Sequence, residues 1–177
     1  SGDDNKSAFA IGTANITHSS VDVTITPNDA ETWWFATIYS ENDLNTYARG
    51  NALTAITNEV DLHMSVVNAY NEGVSESEKL DLLTFGFDGV IKGSATLTAS
   101  YLLPETTYFV IVAEVNGEGL ASQEVTTHKF TTLARPVGNT TVFTPQMATV
   151  KCLGDYYGAE TNDIVLDLFA ENENGNV

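Results

Sequence analysis

The spacing of apolar residues changes twice along this chain, and that change limits the folds open to it. Apolar and polar residues alternate in SVDVTITPND (20–29), and again in SATLTAS (94–100) and SQEVTTHKFTT (122–132). Because successive side chains of a strand point to opposite faces, this alternation predicts half-buried antiparallel strands. Between them, over residues 41–88, the apolar residues recur with the period of a helix. The sequence therefore predicts a mainly β domain with a helical insertion.

The insertion carries the signals of three helices, near residues 41–48, 52–71 and 76–84. Ser40 and Ser75 each precede a carboxylate by three residues, a pattern that satisfies the free N–H groups at a helix start. The apolar residues of the longest helix fall in one stripe about 100° wide: Leu53, Ile56, Val60, Met64 and Val67. We expect this stripe to pack against the outer face of a sheet.

The strand ETWWFATIYS (31–40) is apolar on both faces and contains the adjacent pair Trp33 and Trp34. One member of the pair faces the core, and the other is either covered by the insertion or left as an exposed ring. Tyr156 and Tyr157 form a second adjacent pair in a predicted loop. Exposed Trp and Tyr rings are favoured where sugars or protein partners bind. These four residues are therefore candidates for an aromatic binding platform.

A motif of four residues comes directly before the apolar strand FVIVAEV: Leu102, Pro104, Thr106 and Tyr108, each two positions apart. The motif resembles the tyrosine corner of fibronectin type III modules. That resemblance implies a buried tyrosine whose hydroxyl hydrogen-bonds to backbone a few residues upstream, where the chain crosses between two sheets. Asn116-Gly117, at the end of the strand, favours a tight hairpin turn.

The resemblance covers roughly residues 8–133 and implies an immunoglobulin-like, fibronectin type III-like β-sandwich. The phrase VDVTITPND, the aromatic strand and the helical insertion together resemble uncharacterised surface lipoproteins of Bacteroidetes-type bacteria. The domain prediction is a flexible tether over 1–6, a sandwich over 7–134 with its insertion at 41–88, and a β-hairpin over 140–177. The hairpin is interpreted as the start of a second β domain.

The chain is strongly acidic, with 24 Asp and Glu against 7 Lys and Arg and a formal charge of −17. This charge disfavours nucleic acid and anionic membrane surfaces, because both repel a negative protein. A single cysteine, Cys152, excludes an internal disulfide and a zinc site built from several thiolates. No cofactor or metal site is predicted.

The sequence contains no recognisable catalytic constellation. His18, His63 and His128 lie in separate segments without metal-ligand spacing, and no nucleophile elbow or glycine-rich phosphate loop is present. The carboxylates near the end of the insertion are interpreted as a solvated helix cap: Glu72, Glu76, Glu78 and Asp81.

We therefore expect a non-catalytic cell-surface lipoprotein module for structural display, adhesion or protein interaction. The alternative is a carbohydrate-binding accessory protein of a glycan-uptake system. The resemblance implies a place in the cell envelope, as an outer-membrane lipoprotein that is either exposed outside or faces the periplasm, on a lipid anchor that is absent from this sequence. The expected partner is a protein or a glycan at the cell surface.

Overall fold

The computed structural model describes residues 7–138, which form eight strands and two α-helices. The strands are β1 (Phe9–Ala14), β2 (Val21–Pro27), β3 (Trp33–Ser40), β4 (Val90–Lys92), β5 (Ala95–Ala99), β6 (Thr107–Asn116), β7 (Gly119–Leu120) and β8 (Thr126–Thr131), and the helices are α1 (Glu41–Ala48) and α2 (Ala52–Glu72). The predicted tether over 1–6 and the predicted hairpin over 140–177 lie outside the described residues.

The strands form two antiparallel sheets. One contains β1, β2 and β5 in that order, and the other places β3 and β6 between β4 and β8, with β7 pairing the end of β6. The inward faces of both sheets meet in one core: Phe9, Val21, Val23, Ile25, Trp34, Tyr108, Val110, Val112 and Phe130. The alternation in β2, buried at every second residue, produces its half of this core. The fold is a β-sandwich with a helical insertion, as the sequence predicts.

A second core lies on the outer face of the larger sheet, beneath the helices. It is possible because β3 and β6 are apolar on both faces, so that Phe35 and Ile111 point away from the sandwich interior. Ile56, Val60 and Val67 of α2 are buried, Leu53 and Met64 are half-buried, and Val60 packs in this cluster. Ile56, Val60 and Met64 of the predicted stripe therefore pack against the sheet, whereas Leu53 and the buried Val67 are not part of this cluster.

The caps of the insertion explain where its helices begin and end. Ser40 Oγ accepts a hydrogen bond from the Asp43 amide at 3.0 Å, which begins α1 where the sequence predicts. Asn51 caps α2 in the same way, with Oδ1 3.0 Å from the Thr54 amide, and Gly73 ends that helix.

The third predicted helix, over 76–84, is wrong. Only a single 3₁₀ turn forms, Glu76–Glu78, although the Ser75 amide donates to the Glu78 carboxylate as predicted, and the Ser75 hydroxyl donates to the same carboxylate. The chain straightens at Lys79 because Leu80 exchanges hydrogen bonds with the side chain of Asn71, and the Leu82 amide donates to the Gly117 carbonyl. These contacts hold Leu82 in the second core, which a continuing helix would not allow.

The segment before β6 has the contacts expected of a tyrosine corner. Tyr108 is 7% exposed, and its hydroxyl accepts a hydrogen bond from the Leu103 amide at 2.8 Å. Thr106 Oγ1 donates to the Pro104 carbonyl at 2.7 Å, and Leu102 packs against the sandwich core. The turn after β6 differs in detail from the prediction, because the positive backbone angle falls at Gly119 and not at Asn116-Gly117.

Candidate functional site

The two adjacent tryptophans lie on opposite faces of β3 and differ in burial. Trp34 is fully buried between the sheets, and its indole N–H donates to the Gly93 carbonyl at 2.7 Å. Trp33 points to the opposite face and packs, half-buried, against the core under the helices. Trp34 is therefore wrong as a residue of an exposed aromatic platform, because its ring and its polar atom are both already used by the fold. Tyr156 and Tyr157 lie outside the described residues.

The titratable side chains of the insertion serve local structure. His63 lies between the rings of Phe35 and Phe87, at centroid distances of 5.0 and 4.6 Å, and its Nδ1 is 2.7 Å from the Glu59 carbonyl oxygen. Hydrogen bonds from Ser75 hold the pKa of Glu78 below its ordinary value. Across residues 7–138, no three His, Cys, Asp or Glu side chains group as a metal site would require.

The Asp81 carboxylate likewise accepts hydrogen bonds within its own turn. Its Oδ1 accepts hydrogen bonds from the Thr84 hydroxyl and amide, each at 2.8 Å, and from the Leu83 amide at 3.0 Å. The Thr84 hydroxyl is the largest cause that lowers the pKa of Asp81. Glu78 and Asp81 therefore both stabilise turns.

The most distinctive exposed feature of the described residues is a row of apolar side chains on α2. Leu62, Val66 and Tyr70 follow one another at intervals of four residues and are 61%, 44% and 42% exposed. Residues at this interval lie one above the other on a helix surface. We call these three residues the α2 stripe; Tyr70 is its member nearest the buried face of the helix.

Four further aromatic rings connect the α2 stripe to the interior. Tyr70 meets Phe85 edge to face at 5.8 Å, and Phe85 stacks on Phe87 at 4.5 Å. Phe87 in turn contacts His63, which contacts the buried Phe35. Each such contact is favourable by geometry as well as by burial. The aromatic row therefore fixes the position of Tyr70 at the edge of the second core.

The α2 stripe stands in an acidic part of the chain. The insertion, residues 41–88, has two basic residues, Arg49 and Lys79, and Lys79 pairs with Glu76. Its acidic residues number nine: Glu41, Asp43, Glu59, Asp61, Glu72, Glu76, Glu78, Asp81 and Asp88. The lobe thus combines exposed apolar groups with a formal excess of seven negative charges.

Sequence reasoning missed the α2 stripe. The signal was present, because Leu62, Val66 and Tyr70 recur every four residues, but a stripe of that kind is usually interpreted as core. Phe85 and Phe87 lie in an irregular segment without periodicity, so nothing in the sequence placed them against α2.

Comparisons with known proteins find similar solved structures at low sequence identity. No known protein family and no curated protein matches the chain. A computationally redesigned β-sandwich protein is 18% identical, with a TM-score of 0.38 over 71% of this chain and 93% of that one. The sensor domain of the anti-sigma factor RsgI4 of Pseudobacteroides cellulosolvens is 13% identical, with a TM-score of 0.34 over 73% of this chain and 99% of that one.

Neither α1 nor α2 is long and apolar enough to cross a membrane.

Proposed function

We propose that this chain is a non-catalytic module that binds a protein partner through the α2 stripe. The observation that carries the proposal is the exposure of Leu62, Val66 and Tyr70 in one row, held in place by the aromatic contacts behind Tyr70. Contiguous apolar groups on a soluble protein are typical of interaction sites, because burying them against a partner releases water from their surface.

The partner is a cationic polypeptide segment with an apolar face of its own. The insertion has a formal excess of seven negative charges, so a positive segment is attracted and an acidic one is repelled. An amphipathic helix with Lys or Arg beside apolar residues satisfies both requirements, since its apolar face can lie along α2.

The proposed setting is the cell envelope, where a lipid-anchored lipoprotein would display the module. This part of the proposal comes from the resemblance of the sequence to surface lipoproteins and fibronectin type III-like modules. Two features of the fold support the fibronectin type III-like part of that resemblance: the pairing of β1, β2 and β5 in one sheet, and the hydrogen bond from the Leu103 amide to Tyr108.

The alternative function is carbohydrate binding as an accessory protein of a glycan-uptake system. It requires an exposed ring on which a sugar can stack, and Trp33 is the tryptophan that keeps part of its surface in solvent. Sugar binding at Trp33 would change tryptophan fluorescence, and this change would be lost when Trp33 is replaced.

The test measures binding of synthetic labelled peptides by fluorescence anisotropy. Three amphipathic helical peptides share one apolar face and carry Lys, Gln or Glu on the polar face. We expect the Lys peptide to bind, and Val66→Asp to weaken its affinity by roughly tenfold or more. Because this substitution makes the lobe more acidic, a loss of affinity reports the apolar contact and not the charge.

The matched control is Asn68→Asp, which adds the same charge at an exposed position of the same helix and should leave binding intact. The proposal is wrong if the Lys peptide does not bind, or if Val66→Asp and Asn68→Asp behave alike. Quenching of tryptophan fluorescence by oligosaccharides, lost in Trp33→Ala, would favour the carbohydrate function instead.

A further inference from the structure

The sandwich has two open sides, where the edge strands of its two sheets face each other, and these two sides differ in their contacts. On the β1 side, side chains bridge the sheets: Ser7 Oγ is 2.8 Å from Thr126 Oγ1, and Thr13 Oγ1 is 3.3 Å from His128 Nε2. On the opposite side, no hydrogen bond between side chains joins β5 to β3 among the described residues, and the Trp34 indole bonds only to the Gly93 carbonyl in the β4–β5 connection. An apolar cleft of about 190 Å³ opens there instead, lined mainly by residues of β2, β3 and β5.

The cleft reflects a short strand and small side chains. β4 pairs with β3 only from Trp33 to Phe35, so the edge of β3 beyond Phe35 has no neighbouring strand among residues 7–138. Ala36 and Ala99 in the lining are too small to fill the gap. Leu97 is opposite the buried Val23 in the strand register and shares its inward face, yet it is 36% exposed.

Within residues 7–138, the strand bounding this opening, β5, is an unprotected edge. It is the last strand of its sheet in the described part of the chain. Its five residues, Ala-Thr-Leu-Thr-Ala, include no charge, no proline and no glycine. Natural proteins usually block such edges with charged residues, proline or bulges, because unpaired N–H and C=O groups accept another strand.

The sequence of β5 reads the same in both directions. Two copies paired antiparallel about Leu97 would set Ala95 opposite Ala99, Thr96 opposite Thr98, and Leu97 opposite its own copy. Thr96 already hydrogen-bonds to Thr24 at 2.8 Å on the neighbouring strand, so the pairing would extend a row of threonines. Threonine pairs and apolar pairs across strands each favour association.

We propose that β5 is a self-association edge, at which two copies of this chain pair β5 to β5 about a two-fold axis through Leu97. The pairing joins the two three-stranded sheets into one of six strands. It also lays the Leu97 side chain of each copy over the apolar cleft of the other. This interface is separate from the α2 stripe and does not depend on the function proposed for it.

The dimer should be weak and should strengthen with salt. Five paired residues bury less than the roughly 1,200 Å² of stable complexes, and each copy carries a formal charge of −17. Salt screens this repulsion, and the Debye length falls to about 3 Å at about 1 M.

The test is sedimentation equilibrium of the full chain in NaCl up to about 1 M, at protein concentrations up to about 1 mM. A reductant is needed because Cys152 could otherwise form a disulfide between copies. We expect a monomer–dimer equilibrium that salt strengthens. Leu97→Lys, which sets two like charges opposite each other, should raise the dimer Kd by roughly tenfold or more. Thr127→Lys, at an exposed position of β8, is the matched control and should leave the Kd unchanged.

A monomer under all these conditions would overturn the proposal, as would a dimer that Leu97→Lys leaves unchanged. A covalent trap covers the case in which Leu97→Lys does not fold. In a Cys152→Ser background, Leu97→Cys should oxidise rapidly to a disulfide-linked dimer, because the pairing places its Cβ beside that of the second copy. Thr127→Cys should not, and equal cross-linking of the two variants would also reject the β5 pairing.

Discussion

The hydroxyl of Tyr39 on β3 donates a 2.8 Å hydrogen bond to Glu59 Oε1 on α2, and so ties the helical insertion to the sheet beneath it. Burial of the phenol, followed by this hydrogen bond and the negative charge of Glu59, raises the pKa of Tyr39 to about 12. The protonated phenol is therefore the form that the folded state favours.

This contact predicts a loss of stability at high pH. The pKa of Tyr39 in the fold, about 12, lies above its ordinary value of 10.0, so its contribution is complete below about pH 10 and is lost as the pH rises toward 12. Urea unfolding between pH 9 and about pH 11.5 should show a smaller decline in Tyr39→Phe than in the unaltered chain. Tyr101→Phe, whose ring is 99% exposed, provides the control for general alkaline effects, and identical declines in both variants would contradict the prediction.

Replacement of Tyr108 by Phe should lower the free energy of unfolding by about 1 kcal/mol. The substitution keeps the buried ring stacked on Phe130 and removes only the hydrogen bond from the Leu103 amide, which contributes on that scale. Denaturant unfolding of this variant is compared with Tyr101→Phe, which should match the unaltered chain. An unchanged midpoint for Tyr108→Phe would show that the corner hydrogen bond does not stabilise the fold.

Val60→Asp should cost several kcal/mol, because it places an unpaired charge in the core between α2 and the sheet. Val66→Asp, on the same helix but 44% exposed, should cost much less. Thermal unfolding of the two variants measures the difference directly. Similar melting temperatures would mean that the buried face of α2 contributes little to stability. The sandwich would then fold independently of the insertion.

The sequence was most informative where a contact is local or periodic. The alternation around Val23 predicts its strand, Ser40 predicts the start of α1, and the spacing before Tyr108 predicts a hydrogen bond that the structure contains. In each case the interacting groups are a few residues apart or repeat on one face. Their geometry therefore follows from backbone regularity.

The misplaced features depend on contacts between distant segments. The turn at 79–84 follows the hydrogen bond from Leu82 to Gly117, which no local pattern reveals. Periodicity also shows which residues share a face but not what covers that face. Trp33 and Trp34 are equivalent as sequence, and only the packing of the insertion decides that Trp34 lies between the sheets. The exposure of the α2 stripe was not predicted for the same reason, because periodicity alone does not show whether a face is covered.

The first domain is expected to end near residue 134. Contacts within the chain define a unit that ends at Arg135. The backbone bonds nearest that end, from the Glu105 amide to the Leu133 carbonyl and from the Leu133 amide to the Thr17 carbonyl, lie inside this unit. A fragment of residues 1–135 keeps both cores and should unfold in one cooperative transition, close in temperature to the same transition of the full chain. Calorimetry of the two proteins makes the comparison. A broad or strongly lowered transition in the fragment would show that residues beyond 135 are an integral part of the first domain.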